Sequence, residues 1–181
     1  MFKDYDQKVS QNDLYALIRE GEHGEQDFKY RISDARKIAR TLSAFANTNG
    51  GRLLVGVRDN GSIAGVKDED DIYMLESASE VFLKPALKLE VWAHEIEGKK
   101  VWEIEITEGK EKPYQVDEVE GLKAYYRDKD QNFVANAVLK EVWKQDRLRE
   151  SKHPVAFTEK EQRLIQYLKD YEEVSVSKAA K

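Results

Sequence analysis

The chain has 181 residues, 40% of them apolar and 36% charged, and a formal net charge of −5. That length and apolar content fit one domain of ordinary size plus a short extension and exclude wholesale disorder, while the acidic balance argues against a uniformly basic nucleic-acid binder. The absence of cysteine excludes disulfides, zinc–thiolate sites and cysteine nucleophiles, His23, His94 and His153 are too scattered for a histidine-rich metal site, and with no apolar run of membrane-spanning length and no apolar leader a soluble, cytoplasmic protein without membrane contact is expected.

Residues 1–10 are polar and read as a lead-in. Ser10 or Asn12 is the candidate cap of a first helix, with Leu14, Leu17 and Ile18 at i, i+3, i+4 spacing and Gly21 as its stop. Gln26 to Ile32 reads as an extended piece, after which Ser33 or Asp34 caps a second helix. Ala35, Ile38, Ala39, Leu42, Phe45, Ala46 and Asn49 recur at 3–4 spacing there, while Arg36, Lys37 and Arg40 fall on the opposite side.

The chain is organised around Phe45 to Gly61, FANTNGGRLLVGVRDNG. Gly50-Gly51 provides the helix exit, because glycine adopts the left-handed conformation required there. Arg52 to Val57 is a nearly continuous apolar run, which predicts a strand buried on both faces. Asp59-Asn60-Gly61 predicts a two-residue hairpin turn with positive φ at both central positions, returning along Ser62 to Val66.

Lys67 to Asp71 opens a third helix with Ile72, Leu75, Ala78, Ser79 and Phe82 inward and Pro85 beyond its end. Leu87 to Ile96 alternates, with Leu87, Leu89, Val91 and Ala93 on one side and Lys88, Glu90, Trp92 and His94 on the other. Its antiparallel partner is Val101 to Ile106, across the Gly98-Lys99 turn. Tyr114 to Val119 and Leu122 to Arg127 form a later hairpin around Gly121. Asn132 to Arg149 reads as a helix with Val134, Val138, Val142 and Leu148 as the candidates for its inner face. Ser151 to Pro154 breaks it, dividing a domain of residues 1–150 from a segment of residues 151–181, in which Thr158 and Glu161 match a capping box and Leu164, Ile165 and Leu168 continue a helix.

Two constellations carry chemistry. From Phe28 to Arg58 the chain has Lys29, Arg31, Arg36, Lys37, Arg40, Arg52 and Arg58 against Asp34 alone, a local +6 in a chain whose remainder carries −11. A patch of this kind suits phosphate contacts, and equally it suits a solvated helix face with charged strand ends. The second is Glu22 and Asp27, which bracket a turn containing Gly24, with Asp59 at the mouth of the central strand. Converging carboxylates of this number hold magnesium or manganese and activate water against a phosphodiester, whereas unconverged they are turn and surface charges. No phosphate-cradling P-loop and no Gly-x-Ser-x-Gly elbow is present.

Glu22 to Lys29 (EHGEQDFK), Phe45 to Gly51, Leu53 to Gly61, and Ile63, Gly65 and Val66 resemble the Schlafen-type AlbA domain. Lys112-Pro113-Tyr114 and Ala124 to Arg127 extend the resemblance through residues ~10 to 140, the size of one domain. The resemblance implies an α/β (α+β) fold, a mixed sheet with a central buried strand and packed helices, here followed by a partial helical C-terminal extension similar to the start of a winged helix. It also implies a nucleic-acid-binding role, since many bacterial members look like transcriptional regulators. Animal Schlafens look like two copies facing each other across a basic groove, which implies a homodimer for a single-copy chain. Related domains there cut tRNA with three acidic residues, whose matching positions are Glu22, Asp27 and Asp59. Asp27 departs from the usual glutamate, and the ATP-binding label also attached to the group finds no support in these residues.

The favoured expectation is therefore a binder of DNA or RNA that needs no cofactor, with Lys29, Arg31, Arg36, Lys37, Arg40, Arg52 and Arg58 on the phosphates. The alternatives are a metal-dependent endoribonuclease with Mg or Mn on Glu22, Asp27 and Asp59, and a protein-interaction or dimerisation scaffold.

Overall fold

The computed structural model describes residues 11–66, 70–150, 158, 159, 161–163, 166 and 167. The chain divides into two compact units, Met1–Arg147 and Leu148–Lys181. In the second, Thr158 and Glu161 form the expected capping box: the Thr158 amide donates to Glu161 Oε2 at 2.7 Å, and the Glu161 amide donates to Thr158 Oγ1 at 3.4 Å. Leu164, Ile165 and Leu168 lie outside the described residues, as do residues 1–10 and 151–157.

The first unit is a mixed α/β fold with two four-stranded sheets among the described residues. Its elements are α1 (Gln11–Glu20), β1 (Gln26–Lys29), α2 (Ala35–Asn47), β2 (Gly51–Val55), α3 (Asp70–Ser77), a π-helical turn (Ala78–Phe82), β3 (Leu83–Lys84), β4 (Glu90–Ile96), β5 (Lys99–Ile106), β6 (Gln115–Glu118), β7 (Gly121–Asp128), β8 (Gln131–Val134) and α4 (Ala137–Glu150). One sheet has the order β1-β2-β5-β4 and the other β3-β6-β7-β8. β1 runs parallel to β2, with Gln26 opposite Arg52 and Phe28 opposite Leu54, so α2 is the crossover between them. β5 lies antiparallel to both β2 and β4.

β2 is apolar and buried from Leu53 to Val55 because both faces of its sheet are covered there. Leu53 and Val55 pack with Ile38, Ala39, Leu42 and Phe45 of α2, while Leu54 packs with Phe28 and with Leu14 and Ile18 of α1. Asp34 caps α2, its carboxylate accepting from the Lys37 amide at 3.0 Å. The glycine exit is sterically obligatory. A Cβ at Gly50 would lie 2.6 Å from the Ile106 carbonyl oxygen, and one at Gly51 would lie 2.5 Å from the Phe45 ring.

The other face of α2 is buried through polar residues, which the apolar periodicity did not single out. Ser43 Oγ donates to the Tyr114 carbonyl at 2.8 Å and accepts from the Tyr125 amide at 3.0 Å. Asn47 donates to the carbonyls of Tyr114 (2.8 Å) and Tyr125 (2.9 Å) and accepts from the Tyr114 amide at 2.7 Å. β6 and β7 pair only as far as Gln115 opposite Ala124, and beyond that point these two side chains supply their missing ladder bonds.

Three details differ from expectation. The turn after β2 is three residues long: the Gly61 amide donates to the Arg58 carbonyl at 2.7 Å and the Arg58 amide to the Ser62 carbonyl at 3.0 Å. Gly61 has positive φ (79°), whereas Asp59 and Asn60 do not. This is the type I turn followed by a left-handed glycine, which satisfies the strand twist without strain at the two side-chain-bearing residues. Ser62 to Val66 makes one bridge, Ile63 to Val57, rather than a strand. Finally, residues 131–134 are strand β8, folded back on β7, and α4 begins only after Asn136, whose Oδ1 accepts from the Leu139 amide at 2.8 Å. Its inward residues are Leu139 and Trp143, against Ala124 and Tyr126; Val138 (73%) and Val142 (48%) are exposed. The Leu–Trp pair offers more apolar area than the two valines at the same spacing, and it takes the buried face.

Candidate nucleic-acid interface

Because β1 and β2 are parallel, their carboxyl ends lie side by side, and α2 starts at that same end. Lys29, Tyr30 and Arg31 leave β1 there, Arg36 and Lys37 sit in the first turn of α2, and Arg58 lies just past β2 with its guanidinium 5.0 Å from the centre of the Tyr30 ring. Arg52 enters β2 at the opposite end. The seven basic residues therefore do not form one field.

Most of them are engaged within the protein. Lys29 Nζ lies 2.6 Å from Asp27. Arg36 donates to the Asp117 carbonyl at 2.9 Å and covers the Phe82 ring at 4.8 Å. Arg40 grips Glu118 with two hydrogen bonds, of 2.6 and 2.9 Å, and Tyr125 donates its hydroxyl to the same carboxylate at 2.7 Å. Arg40 and then Tyr125 hold Glu118 below the usual carboxylate range against the upward pull of burial. Burial, with the Glu118 hydrogen bond second, pushes Tyr125 up to about 12. Arg52 donates to Glu103 Oε1 at 2.7 Å, and His94 Nε2 lies 2.8 Å from Glu103 Oε2. Burial pushes the Glu103 carboxyl up, but His94 and Arg52 outweigh it and the net shift is down. Arg31, Lys37 and Arg58 are left, exposed and without a carboxylate partner among the described residues.

Glu22 and Asp27 are brought together. Glu22 caps the free edge of β1 by accepting from the Phe28 amide at 3.0 Å. Desolvation first, and the adjoining Asp27 as well, raise its pKa. Asp27 is buried between Lys29 and Arg127, whose Nη2 is 3.6 Å away. Arg127 itself is a buried tie between the sheets. It donates to the carbonyls of His23 (3.0 Å) and Gln26 (3.0 Å), to Asn132 (3.1 Å), and lies 4.7 Å over the Phe45 ring.

Asp59 does not join this pair. Among the described residues no three His, Asp or Glu side chains are grouped to hold a metal ion. The reason is the register: Asp27 stands opposite Leu53 in mid-strand, whereas Asp59 follows the residue that reaches Tyr30. At about 3.3 Å per residue, the three steps from Asp27 to Tyr30 span roughly 10 Å. The remaining two carboxylates are already committed to two cations and a backbone amide, so the donor set as arranged does not fit magnesium or manganese.

The family model described as Schlafen, AlbA_2 matches residues 22–136, more than half of the chain. The chain belongs to the Schlafen AlbA_2 family. Its fold is similar to that of the DIP2311 protein from Corynebacterium diphtheriae, with a TM-score of 0.53 and 20% identity over 78% of this chain; the match spans 32% of that protein, about a third of its length. It is also similar to the N-terminal domain of an ATP-dependent DNA helicase RecG-related protein from Nitrosomonas europaea, with a TM-score of 0.48 and 25% identity over 71% of this chain and 96% of that one. No curated protein matches its sequence. No helix among the described residues is long and apolar enough to cross a membrane.

Within this AlbA_2 domain, sequence reasoning missed the partners of the basic residues. Glu103 and Glu118 lie 51 and 78 positions from the arginines they bind, and no local spacing marks such pairs. Tyr30 was also passed over, although an aromatic set between Lys29 and Arg31 is the interleaving that nucleic-acid surfaces use.

Proposed function

We infer that this AlbA_2 domain binds nucleic acid, DNA or RNA, as a regulatory module, and that it does so at the carboxyl end of the β1–β2 pair. One observation carries the reading: Arg31, Lys37 and Arg58 follow or begin elements at that end, exposed and without carboxylate partners among the described residues, which leaves their charges open to phosphates. Family membership supports it, because the resemblance to Schlafen-type AlbA domains implies nucleic-acid binding. Arg40 and Arg52 have no part in the reading, since their charges are spent on Glu118 and Glu103. Electrophoretic shift with DNA and RNA tests it. Arg31→Ala combined with Lys37→Ala weakens binding of unrelated sequences about equally, and loss of two contacts flattens the salt dependence by between one and two units of slope. Binding that is absent in the wild type, or indifferent to these substitutions, overturns it.

The ribonuclease alternative has one observation in its favour, the adjoining Glu22 and Asp27. Incubation with tRNA and manganese decides it: cleavage that disappears in Glu22→Gln moves the assignment to an enzyme that rearranges its carboxylates around the ion. A homodimer that rebuilds a groove from two subunits belongs to the same proposal, and sedimentation of the full chain reads it directly.

A further inference from the structure

Tyr30 is a large aromatic left 41% exposed, while Phe28 and Ile32 on either side of it are buried. It stands where the chain leaves β1, and the Arg58 guanidinium lies over its ring at 5.0 Å. Beyond the ring, the Arg58 guanidinium has, among the described residues, one long contact of 3.5 Å with the Ser62 hydroxyl. With Arg58 in place, Tyr30 stays 41% open to solvent, next in sequence to Arg31 and at the same end of the fold as Lys37. A double helix keeps its base faces stacked on one another and presents phosphates and groove edges outward, so it offers an exposed ring a base face only at the cost of unstacking. A single strand presents base faces directly, and an aromatic ring flanked by cations serves both the base and its phosphate.

We propose that Tyr30 and Arg58 form a stacking platform for one unpaired nucleobase, so that this domain prefers single-stranded nucleic acid to duplex. The inference rests on the binding reading above and deepens it. The base stacks on the open part of the Tyr30 ring, Arg58 holds the ring from its other side and reaches the adjoining phosphate, and Arg31 and Lys37 take neighbouring phosphates. The recognised chemistry is an unpaired base with its phosphate, which either a DNA or an RNA strand supplies.

The test is fluorescence anisotropy of the full chain with oligo(dT), oligo(U) and a duplex of equal length, for wild type, Tyr30→Ala, Tyr30→Trp and the Arg31→Ala, Lys37→Ala pair. The wild type is expected to favour a single strand, and the dT and U arms tell which sugar it prefers. Tyr30→Ala is expected to cost about tenfold on the single strand and much less on the duplex, without changing the salt slope, since stacking releases no counterions. Tyr30→Trp is expected to restore or exceed wild-type affinity. A 5-iodouracil strand should crosslink at position 30 on irradiation, a readout independent of affinity. If Tyr30→Ala weakens duplex and single strand equally, or neither, while the Arg31–Lys37 pair still weakens both, the platform is overturned and the binding reading survives. If the wild type binds none of the three, both fall.

Discussion

Glu103 and Glu118 show how a basic residue's charge can be spent before any ligand arrives. Both carboxyls are held below their ordinary range in the folded protein. A carboxyl depressed by folding adds stability that is present above its unfolded pKa and is lost as pH falls through the folded one, so these two groups steepen acid unfolding. Tyr125 works in the opposite sense. Its folded pKa, about 12, lies above its ordinary value of 10.0, so its contribution is complete below pH 10 and is lost as pH rises towards 12. Denaturant midpoints measured across pH should therefore fall at both extremes. Tyr125→Phe should flatten the alkaline limb and soften the acid limb only in part, because Arg40 still holds Glu118 down and His94 and Arg52 still hold Glu103. Arg40→Ala should cost about 1–2 kcal/mol, a buried-pair penalty discounted because the Arg40 side chain is 44% exposed. It should also leave the affinity for nucleic acid within about twofold of wild type, because less than ~0.4 kcal/mol of binding would be at stake.

At the scale of elements, α2 decides the architecture. Its apolar stripe is satisfied by β2, and its polar stripe, Ser43 and Asn47, is satisfied by the backbone of Tyr114 and Tyr125. Asn47→Ala would leave the Tyr125 carbonyl and the Tyr114 amide without their side-chain partner in a buried place and the Tyr114 carbonyl with Ser43 alone, and should cost about 2–4 kcal/mol by urea unfolding. Asn47→Asp should also destabilise, because a carboxylate cannot donate to the two carbonyls. Leu54→Asp should do more, placing an unpaired charge between β2 and α1, where Leu54 has no exposure; a folded, cooperative Leu54→Asp protein would contradict the two-faced burial of β2. α4 makes the complementary point. Substituting Trp143 by Ala should destabilise by about 3 kcal/mol or more, whereas Val138→Ala should change stability by under ~0.5 kcal/mol.

At the scale of the molecule, a net charge of −5 means that long-range steering of an anionic ligand is weak and that attraction is local. With three phosphate contacts on a single strand, the logarithm of the association constant should fall with the logarithm of salt with a slope of about −2. A slope several-fold steeper would mean that further basic residues, or a second subunit, complete the surface.

Much of this was written locally and could be read without the fold. The Gly50-Gly51 exit, the Asp34 cap, the two-faced apolar run of β2 and the β4–β5 alternation depend on neighbours within a few residues, where backbone sterics and side-chain period act directly. The turn at Asp59 was legible as a turn but not in its length, because the same Asp-Asn-Gly serves a two-residue hairpin or a type I turn closed by a left-handed glycine. The inward face of α4 was not legible, since two interleaved stripes of similar spacing competed and only the presence of Ala124 and Tyr126 chose between them. The site was legible as residue types and not as an arrangement. Seven cations and three carboxylates could be counted along the chain, but Coulomb attraction acts through space. Pairing Arg40 with Glu118, Arg52 with Glu103, and Asp27 with Lys29 and Arg127 required the sheets to bring distant positions into contact. The tertiary structure alone therefore decided which charges were consumed inside the protein and which three, among the described residues, were left exposed without a carboxylate.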